Sequence, residues 1–278
     1  MKIHSPAKLN IRLKVTGRRP NGYHELVSIM VPVNLFDYID LEAGQTQGII
    51  LSCHGHSVPE DEDNLVYRAA QAYFFRIGLK PNLSIKLTKN IPVAAGLGGG
   101  SSNAACTLKA LNKMWGNPLS FQDLLELAIT LGADVPFFLY SRPCIARGIG
   151  EILEPIGKWP KFWYVIVMPP ISVSTSWAYG NLRLKLTTDE YGFILHCLEK
   201  ESIDLAAILE NDLEAVTASH FPVIDTIKAS LINAGAESAL MSGSGPSVFG
   251  IFNSETHAIS AKRHLDSQGL GKVFTVAG

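Results

Sequence analysis

The sequence predicts an α+β fold, and three local patterns carry this prediction. Leu83, Ile85 and Leu87 alternate with polar residues, which is typical of a strand with one buried face. A glycine-rich loop and an alanine-rich helical pattern follow this strand directly. Further along the chain, an apolar run from Phe162 to Met168 indicates a buried strand, and mainly helical patterns follow it. No internal repeat or low-complexity tract interrupts this mixture of strands and helices.

Start and stop signals place the other elements. One helix is expected from about Asn64 to Ile77, with Asp63 or Asn64 as cap and Gly78 as terminator. A second opens with Ser101 and Ser102, repeats Ala104, Leu108 and Leu111 at helical spacing, and stops at Gly116-Asn117-Pro118. Two more are expected from the Ser120 cap to Leu131 before Gly132, and near Thr256 to Leu265. A hairpin-like segment, Ala239 to Phe252, and a last strand, Lys272 to Val276, are expected near the end of the chain. A glycine- and proline-containing stretch near Glu154 suggests two domains, residues 1–154 and 155–278.

Composition indicates a globular protein that acts on a small molecule. The 278 residues are 47% hydrophobic, which is enough for a substantial core. The net charge of −1 argues against nucleic acid or an anionic membrane as partner, because the chain has no global basic field. No secretory leader or membrane-spanning run is evident, so we expect a cytoplasmic location. Composition is compatible with a monomer or a homodimer.

Cysteine usage favours reduced thiols over a disulfide framework or a zinc site. The four cysteines, Cys53, Cys106, Cys144 and Cys197, are far apart in sequence and form no C-x-x-C pair. Cys53-His54-Gly55-His56 contains metal-ligand residue types, but no second pair stands at zinc-site spacing. We therefore expect this segment to be a strand end and loop.

The segment from Ile91 to Ala105 is the strongest functional signal, because it joins a glycine-rich loop to a helix start. Glycines adopt positive φ and allow backbone N–H groups to approach an anion, and a helix start adds unpaired N–H donors. Ser101 and Ser102 stand where a P-loop needs other residues, and no lysine follows. The dinucleotide-binding fingerprint fails as well, since it needs glycine or alanine at Ser101 or Asn103. A phosphate cradle of another kind is expected, and the alternative is a plain connector.

Three motifs in order resemble those of the GHMP small-molecule kinases. The loop from Pro92 to Ala105 resembles the nucleotide loop of that family, Ser5-Pro6-Ala7-Lys8-Leu9-Asn10 resembles its first motif, and Met241 to Phe249 resembles its third. The motifs span almost the whole chain. Within the family, residues 17–26 and 132–138 are similar to members that phosphorylate a cytidine diphosphate derivative of methylerythritol.

The resemblance implies a two-domain GHMP-kinase-like architecture, with an N-terminal nucleotide domain, a C-terminal ferredoxin-like domain and an active site in the cleft between them. It also implies ATP and Mg²⁺ as cofactors. The residues expected to bind ATP are Pro92, Val93, Ala94, Ala95, Gly96, Leu97, Gly98, Gly99, Gly100, Ser101 and Ser102. The two serines are expected at the β and γ phosphates. Because Mg²⁺ relies largely on phosphate oxygens and water, no protein ligand of the metal is assigned.

The resemblance assigns catalysis to Lys8 and Asp134. Phosphoryl transfer to an alcohol requires placement of the nucleophile, neutralisation of charge and an acceptor for the hydroxyl proton. By resemblance, Asp134 accepts that proton, and Lys8 neutralises charge nearby and lowers the pKa of Asp134. Without these companion motifs, the residues themselves would favour Asp134 as a turn residue that caps the next segment, and Lys8 as a solvated lysine on a strand.

Substrate recognition is expected from an aromatic set. A cytosine ring offers two flat faces and a donor and acceptor edge, so its site needs stacking and fixed hydrogen-bond partners. The resemblance places His24 at the base edge, Tyr23 and Tyr179 on its faces, and Asn10 near the sugar alcohol or phosphate. The alternative for Tyr23 and His24 is a turn after Asn21-Gly22 whose aromatic side chain only packs on the surface.

Two other functions stay open from the sequence. Another GHMP kinase would phosphorylate an alcohol such as homoserine or mevalonate, and such a small acceptor has no use for the Tyr23 and His24 pair. A nucleotide-binding module without catalysis would need neither Lys8 nor Asp134. The cytidine-diphosphate methylerythritol substrate remains the favoured hypothesis.

Overall fold

The computed structural model describes residues 1–44, 47–183, 189–200 and 203–278. They form two compact units that are not continuous along the chain. The first unit consists of Met1–Ala7, Leu35–Val93 and Gly98–Arg142, and the second of Lys8–Asn34, Ala94–Leu97 and Pro143–Gly278. Two long strands, β1 (Lys2–Arg18) and β2 (His24–Ala43), contribute residues to both units. The sequence-based ranges 1–154 and 155–278 take no account of these shared strands, and they stay a prediction.

In the first unit, β4 (Asn82–Lys89) pairs with a strand on each of its two sides. It runs parallel to β3 (Gly48–Gly55) and antiparallel to β2, with Tyr38 facing Thr88. Leu83, Ile85 and Leu87 are each 1% exposed, so the alternation predicted for this strand is confirmed. The helices of the unit are α1 (Leu65–Arg76), α2 (Gly99–Met114), α3 (Phe121–Leu131) and α4 (Val135–Tyr140).

Local capping sets the ends of these helices as the sequence predicts. The Asn64 side chain accepts a hydrogen bond from the Val66 N–H at the start of α1. Ser120 and Asp123 form a reciprocal capping box at the start of α3, and Gly132 follows its last residue. The short helix α4 was not predicted, because six uniformly apolar or aromatic residues show no helical periodicity.

The strands of the second unit form two sheets. The strand order is β6–β5–β2–β1–β8 in the mixed sheet and β11–β7–β10–β9 in the antiparallel sheet. The new strands are β5 (Cys144–Gly148), β6 (Ile152–Pro155), β7 (Trp163–Met168), β8 (Glu210–Asn211), β9 (Ser238–Met241), β10 (Val248–Phe252) and β11 (Lys272–Ala277). β9 and β10 pair as a hairpin, and β11 pairs with β7, so both strand predictions near the end of the chain are confirmed.

In the part of the chain that the structure describes, the second unit contains six helices. They are α5 (Thr175–Gly180), α6 (Glu190–Glu199), α7 (Leu205–Ile208), α8 (Asp212–His220), α9 (Val223–Asn233) and α10 (Glu255–Gln268). Of these, α9 and α10 pack on the antiparallel sheet. A hydrophobic core joins Val165 and Val167 of β7 to Ile227 of α9 and Leu265 of α10, all buried. Within the described ranges, no helix is both long and apolar enough to cross a membrane.

Replacement of Ser120 by alanine is expected to destabilise the first unit by about 1 kcal/mol. The substitution removes the acceptor of the Asp123 N–H at 3.2 Å and the donor to the Asp123 carboxylate at 2.6 Å. Urea unfolding at neutral pH measures the change. Ser267→Ala is the control, because this exposed hydroxyl donates to the His264 carbonyl within α10 and does not cap a helix start. Equal midpoints for the two variants would contradict the capping assignment.

Candidate active site

Helix α2 follows the glycine-rich loop directly, and its N-cap residue provides no side-chain cap. Ala94, Gly96 and Gly98 have positive φ angles of 52°, 75° and 67°. Helix α2 begins at Gly99, just before the two serines expected to open it, and its N-cap Gly98 has no side chain to cap it. The N–H groups at the first turn of a helix lack intrahelical acceptors and carry partial positive charge. This end of α2 therefore fits an anion such as the phosphates of ATP.

The glycines of this loop have different physical roles. A Cβ on Gly99 would lie 2.7 Å from Lys89 Nζ and 2.9 Å from Ile91 Cγ2, so packing alone requires glycine there. A Cβ on Gly100 would meet only Leu65 Cδ1, at an ordinary 3.7 Å. The open space at Gly100 is not explained by packing within the protein, and it suits close approach of an anion to the backbone.

The two serines of the loop are held differently. Ser102 is buried, its N–H donates to the Gly98 carbonyl at 2.9 Å, and its Oγ accepts from Ser5 Oγ at 2.7 Å. Ser101 is only half-buried. Ser101 is therefore the better placed of the two to reach a phosphate, and a phosphate contact for either serine stays a prediction.

In the second unit, residues 94–97 meet the first and third motifs. The Lys8 N–H donates to the Leu97 carbonyl at 3.0 Å, and the Ser247 N–H donates to the Ala95 carbonyl at 3.3 Å. The Ser242 hydroxyl donates to the Gly96 carbonyl at 3.0 Å. A Cβ on Gly96 would lie 2.1 Å from the Ser242 carbonyl oxygen, so this contact requires glycine. The three motifs that the sequence singled out thus come together through backbone contacts.

Lys8 and Asn10 lie side by side on β1, against the turn at Gly243. Lys8 is only 4% exposed, and its ammonium donates to Asn10 Oδ1. A Cβ on Gly243 would lie 3.2 Å from Asn10 Oδ1 and 3.5 Å from Lys8 Nζ. Lys8 is therefore not a solvated strand lysine, and burial of its charge calls for polar or anionic partners.

Two residues that the sequence reasoning missed hold this arrangement. Ser28 Oγ accepts from Asn10 Nδ2 at 2.9 Å and donates to the Arg12 carbonyl at 2.6 Å, which fixes the orientation of the Asn10 amide. Asn211 donates to the carbonyls of Met241 and Gly243, each at 2.8 Å, and so supports the third motif. No local pattern marks Ser28, whereas an asparagine before Asp212 and Leu213 is a recognisable helix cap.

His24 and Tyr179 form a stacked aromatic pair in the second unit. Their ring centroids are 5.0 Å apart and their planes differ by 27°. The two rings are too close for a base to lie between them, so a base would stack on an outer face. Burial and the nearby Arg18 lower the pKa of His24 from 6.5, which favours the neutral imidazole with one donor and one acceptor.

Tyr23 follows the turn that the sequence indicates at Asn21-Gly22. Gly22 has a φ of 89°, and Asn21 Oδ1 accepts from the Tyr23 N–H at 3.2 Å. The Tyr23 side chain is 59% exposed, and it is not stacked on His24 in the manner of Tyr179. Its predicted place on a face of the base stays a prediction.

Asp134 occupies the N-cap position of α4 in the first unit, but its side chain makes no capping hydrogen bond. The alternative role of Asp134 as a helix cap is therefore not supported. Lys8 belongs to the second unit, and the predicted pairing of the two residues stays a prediction. Among the residues that the structure describes, no group of three or more His, Cys, Asp or Glu side chains is arranged to hold a metal ion.

Comparisons with known proteins identify the family. The model of the GHMP kinases N terminal domain matches residues 64–142, and that of the GHMP kinases C terminal domain matches residues 194–270. A Geobacter metallireducens protein named 4-diphosphocytidyl-2-C-methyl-D-erythritol kinase is 47% identical over 95% of this chain and 93% of its own length. A protein of the same name from Syntrophus aciditrophicus is 46% identical over 99% of this chain and 98% of its own.

Solved structures agree with these matches. A crystal structure of 4-(cytidine 5'-diphospho)-2C-methyl-D-erythritol kinase has a TM-score of 0.85 and 35% identity, covering 100% of this chain and 98% of its own. Homoserine kinase from Cytophaga hutchinsonii, at 21% identity and a TM-score of 0.78 over 99% of this chain and 93% of its own, shares the fold. Together these matches show that the chain belongs to the GHMP kinase family, with its two-domain fold, and is an ATP-dependent small-molecule kinase.

Proposed function

We propose that the chain transfers the γ-phosphoryl group of ATP to the 2-hydroxyl of 4-diphosphocytidyl-2-C-methyl-D-erythritol, in the cytoplasm. The relatives that match nearly its whole length carry the name of this kinase. The stacked pair of His24 and Tyr179 is the observation that carries the choice of acceptor. A pyrimidine ring gains from stacking on an aromatic face, whereas homoserine or mevalonate presents no ring to stack.

Under this proposal the donor and the acceptor are bound by different features. The phosphates of ATP bind at the uncapped start of α2, where Gly99, Gly100 and Ser101 present N–H groups. The cytosine stacks on the outer face of Tyr179, and the expected contact of His24 with the edge of the base requires the two rings to separate when the acceptor binds. Asn10, whose amide is fixed by Lys8 and Ser28, binds the sugar alcohol or a phosphate of the acceptor.

Asp134 and Lys8 carry the chemical step in this proposal. The Asp134 carboxylate accepts the proton of the 2-hydroxyl. The oxygen of that hydroxyl forms a bond to the γ-phosphorus of ATP, while the bond from this phosphorus to the departing ADP breaks. Lys8 neutralises negative charge as the phosphoryl group moves. Mg²⁺ supplies further neutralisation and is proposed to enter with ATP, because it prefers phosphate oxygens and water as ligands.

The direct test is ADP release by the purified protein with ATP and magnesium. The acceptors to compare are the cytidylated methylerythritol, free methylerythritol phosphate, homoserine and mevalonate. Turnover confined to the cytidylated compound is expected, because only this acceptor carries a base for the His24 and Tyr179 pair. Turnover of homoserine or mevalonate instead would leave the family intact and refute the proposed acceptor.

Asp134→Asn is expected to reduce turnover by about 100-fold or more while ATP binding stays nearly unchanged. The amide keeps the size of the side chain and loses the ability to accept the hydroxyl proton. Steady-state kinetics and calorimetric titration of ATP measure the two effects. Asp225→Asn, at an exposed position in the first turn of α9, is the control and should leave both unchanged. Near-normal turnover of the Asp134 variant would remove this residue from the mechanism.

Tyr179→Ala is expected to raise KM for the cytidylated acceptor by about tenfold to 100-fold, with KM for ATP unchanged, since stacking on a base contributes about 1–3 kcal/mol. Tyr179→Phe is the matched control, because it keeps the ring and removes only the hydroxyl. A KM for the acceptor that is the same in both variants would show that the ring of Tyr179 does not bind the base.

A further inference from the structure

A buried polar network lies beneath the glycine loop in the first unit, and the proposed chemistry does not use it. Asp37 on β2 is 0% exposed, and Lys89 at the end of β4 is 4% exposed. The Lys89 ammonium donates to Asp37 Oδ2. Burial lowers the pKa of Lys89 from 10.5, and the neighbouring Asp37 carboxylate opposes this effect. An isolated charge at either position would be costly, so the two side chains depend on each other.

The Asp37 carboxylate accepts four hydrogen bonds, which come from both sides of the loop. On the side that leads into the loop, the N–H groups of Asn90 and Ile91 donate to Oδ1 at 2.7 and 2.8 Å, in addition to Lys89. On the side that leaves the loop, Nδ2 of Asn103 in α2 donates to Oδ2 at 2.9 Å. One carboxylate thus binds the strand end before residues 92–98 and the helix after them.

The network continues from Asn103 to the first motif. Asn103 Nδ2 also donates to Ser5 Oγ at 2.9 Å, and Ser5 Oγ donates to Ser102 Oγ at 2.7 Å. Ser5, Ser102 and Asn103 are each at most 1% exposed, so water does not compete for these bonds. The second turn of α2 is therefore held in one place by side chains on two strands.

We propose that Asp37 is a positioning residue for the phosphate loop, because its one carboxylate fixes the end of β4 and the start of α2 relative to each other. The position and direction of the N–H groups at Gly99, Gly100 and Ser101 depend on this relation. A buried ion pair adds little to stability compared with apolar residues of the same volume. Its contribution here is therefore to fix the position of the end of β4 relative to the start of α2. The inference rests on the proposed binding of ATP phosphates by the loop.

Asn103→Ala and Asp37→Asn test this role. Asn103→Ala removes the hydrogen bond from α2 to the Asp37 carboxylate and leaves the ion pair between Asp37 and Lys89 intact. Asp37→Asn keeps an acceptor for the Asn90 and Ile91 N–H groups but turns an NH₂ group toward the donors of Lys89 and Asn103. Asp40→Asn is the matched control, since Asp40 lies on the same strand and faces Lys86 of β4 rather than the loop.

The measurements are calorimetric titrations of each variant with ATP, ADP and AMP, together with KM for the acceptor. For Asn103→Ala we expect affinity for ATP and ADP to fall by about tenfold, with affinity for AMP and KM for the acceptor within twofold of the parent. Asp37→Asn should show the same selectivity with a larger loss. If Asp37→Asn does not fold, Asn103→Ala decides alone. The Asp40→Asn control should match the parent with all three nucleotides.

Two results would overturn the positioning role. One is an Asn103→Ala variant that binds ATP and ADP as tightly as the parent. The other is equal weakening for ATP, ADP and AMP, which a general loosening of the fold would produce. The parent protein tests the underlying proposal separately, because equal affinity for ATP and AMP in the parent would show that the loop does not bind the β and γ phosphates.

Discussion

The close approach of Gly96 to the carbonyl of Ser242 is the constraint on which the candidate site in the second unit depends. No side chain fits between them, and Gly96 adopts a positive φ that other residues rarely take. The Ser242 hydroxyl accepts from the Asn10 N–H at 3.2 Å and donates to the Gly96 carbonyl. One serine therefore ties β1, the glycine loop and the β9–β10 turn together. Parts of three motifs that are distant in sequence are in contact within this unit for that reason.

Buried polar groups set the geometry around this contact. A buried amide or hydroxyl without a partner costs about 1–3 kcal/mol, so each side chain has a strong preference for the orientation that satisfies it. Asn10 is bonded on both sides, by the Lys8 ammonium and by Ser28 Oγ. Asn211 satisfies two carbonyls of the third motif at once. The site is in this sense preorganised, since its side chains would have to break protein hydrogen bonds in order to move.

Elements with a local signal were predictable from sequence, and elements whose partners are distant were only partly so. The alternation in β4, the Asn64 cap and the Ser120 cap are properties of neighbouring residues, and all three predictions are confirmed. In β1, Arg12 and Lys14 alternate with apolar residues and would be assigned to a solvent face. Both are buried, because Glu190, Glu210 and Asp212 neutralise them. Such partners are distant in sequence, so no local pattern identifies them. For the same reason, no local sequence pattern identifies Asp37 as a functional residue.

The parts of the candidate site differ in how closely they determine the acceptor. The glycine loop and its hydrogen bonds to β1 are formed largely by backbone groups, so they require glycine at a few positions and accept many neighbours. These backbone groups therefore do not by themselves select one acceptor over another. The aromatic pair is different, because the stacking of His24 on Tyr179 depends on the two side chains themselves. Under the proposed function, the choice of acceptor thus rests on a few side chains of the second unit, while binding of the phosphate donor follows from the path of the backbone.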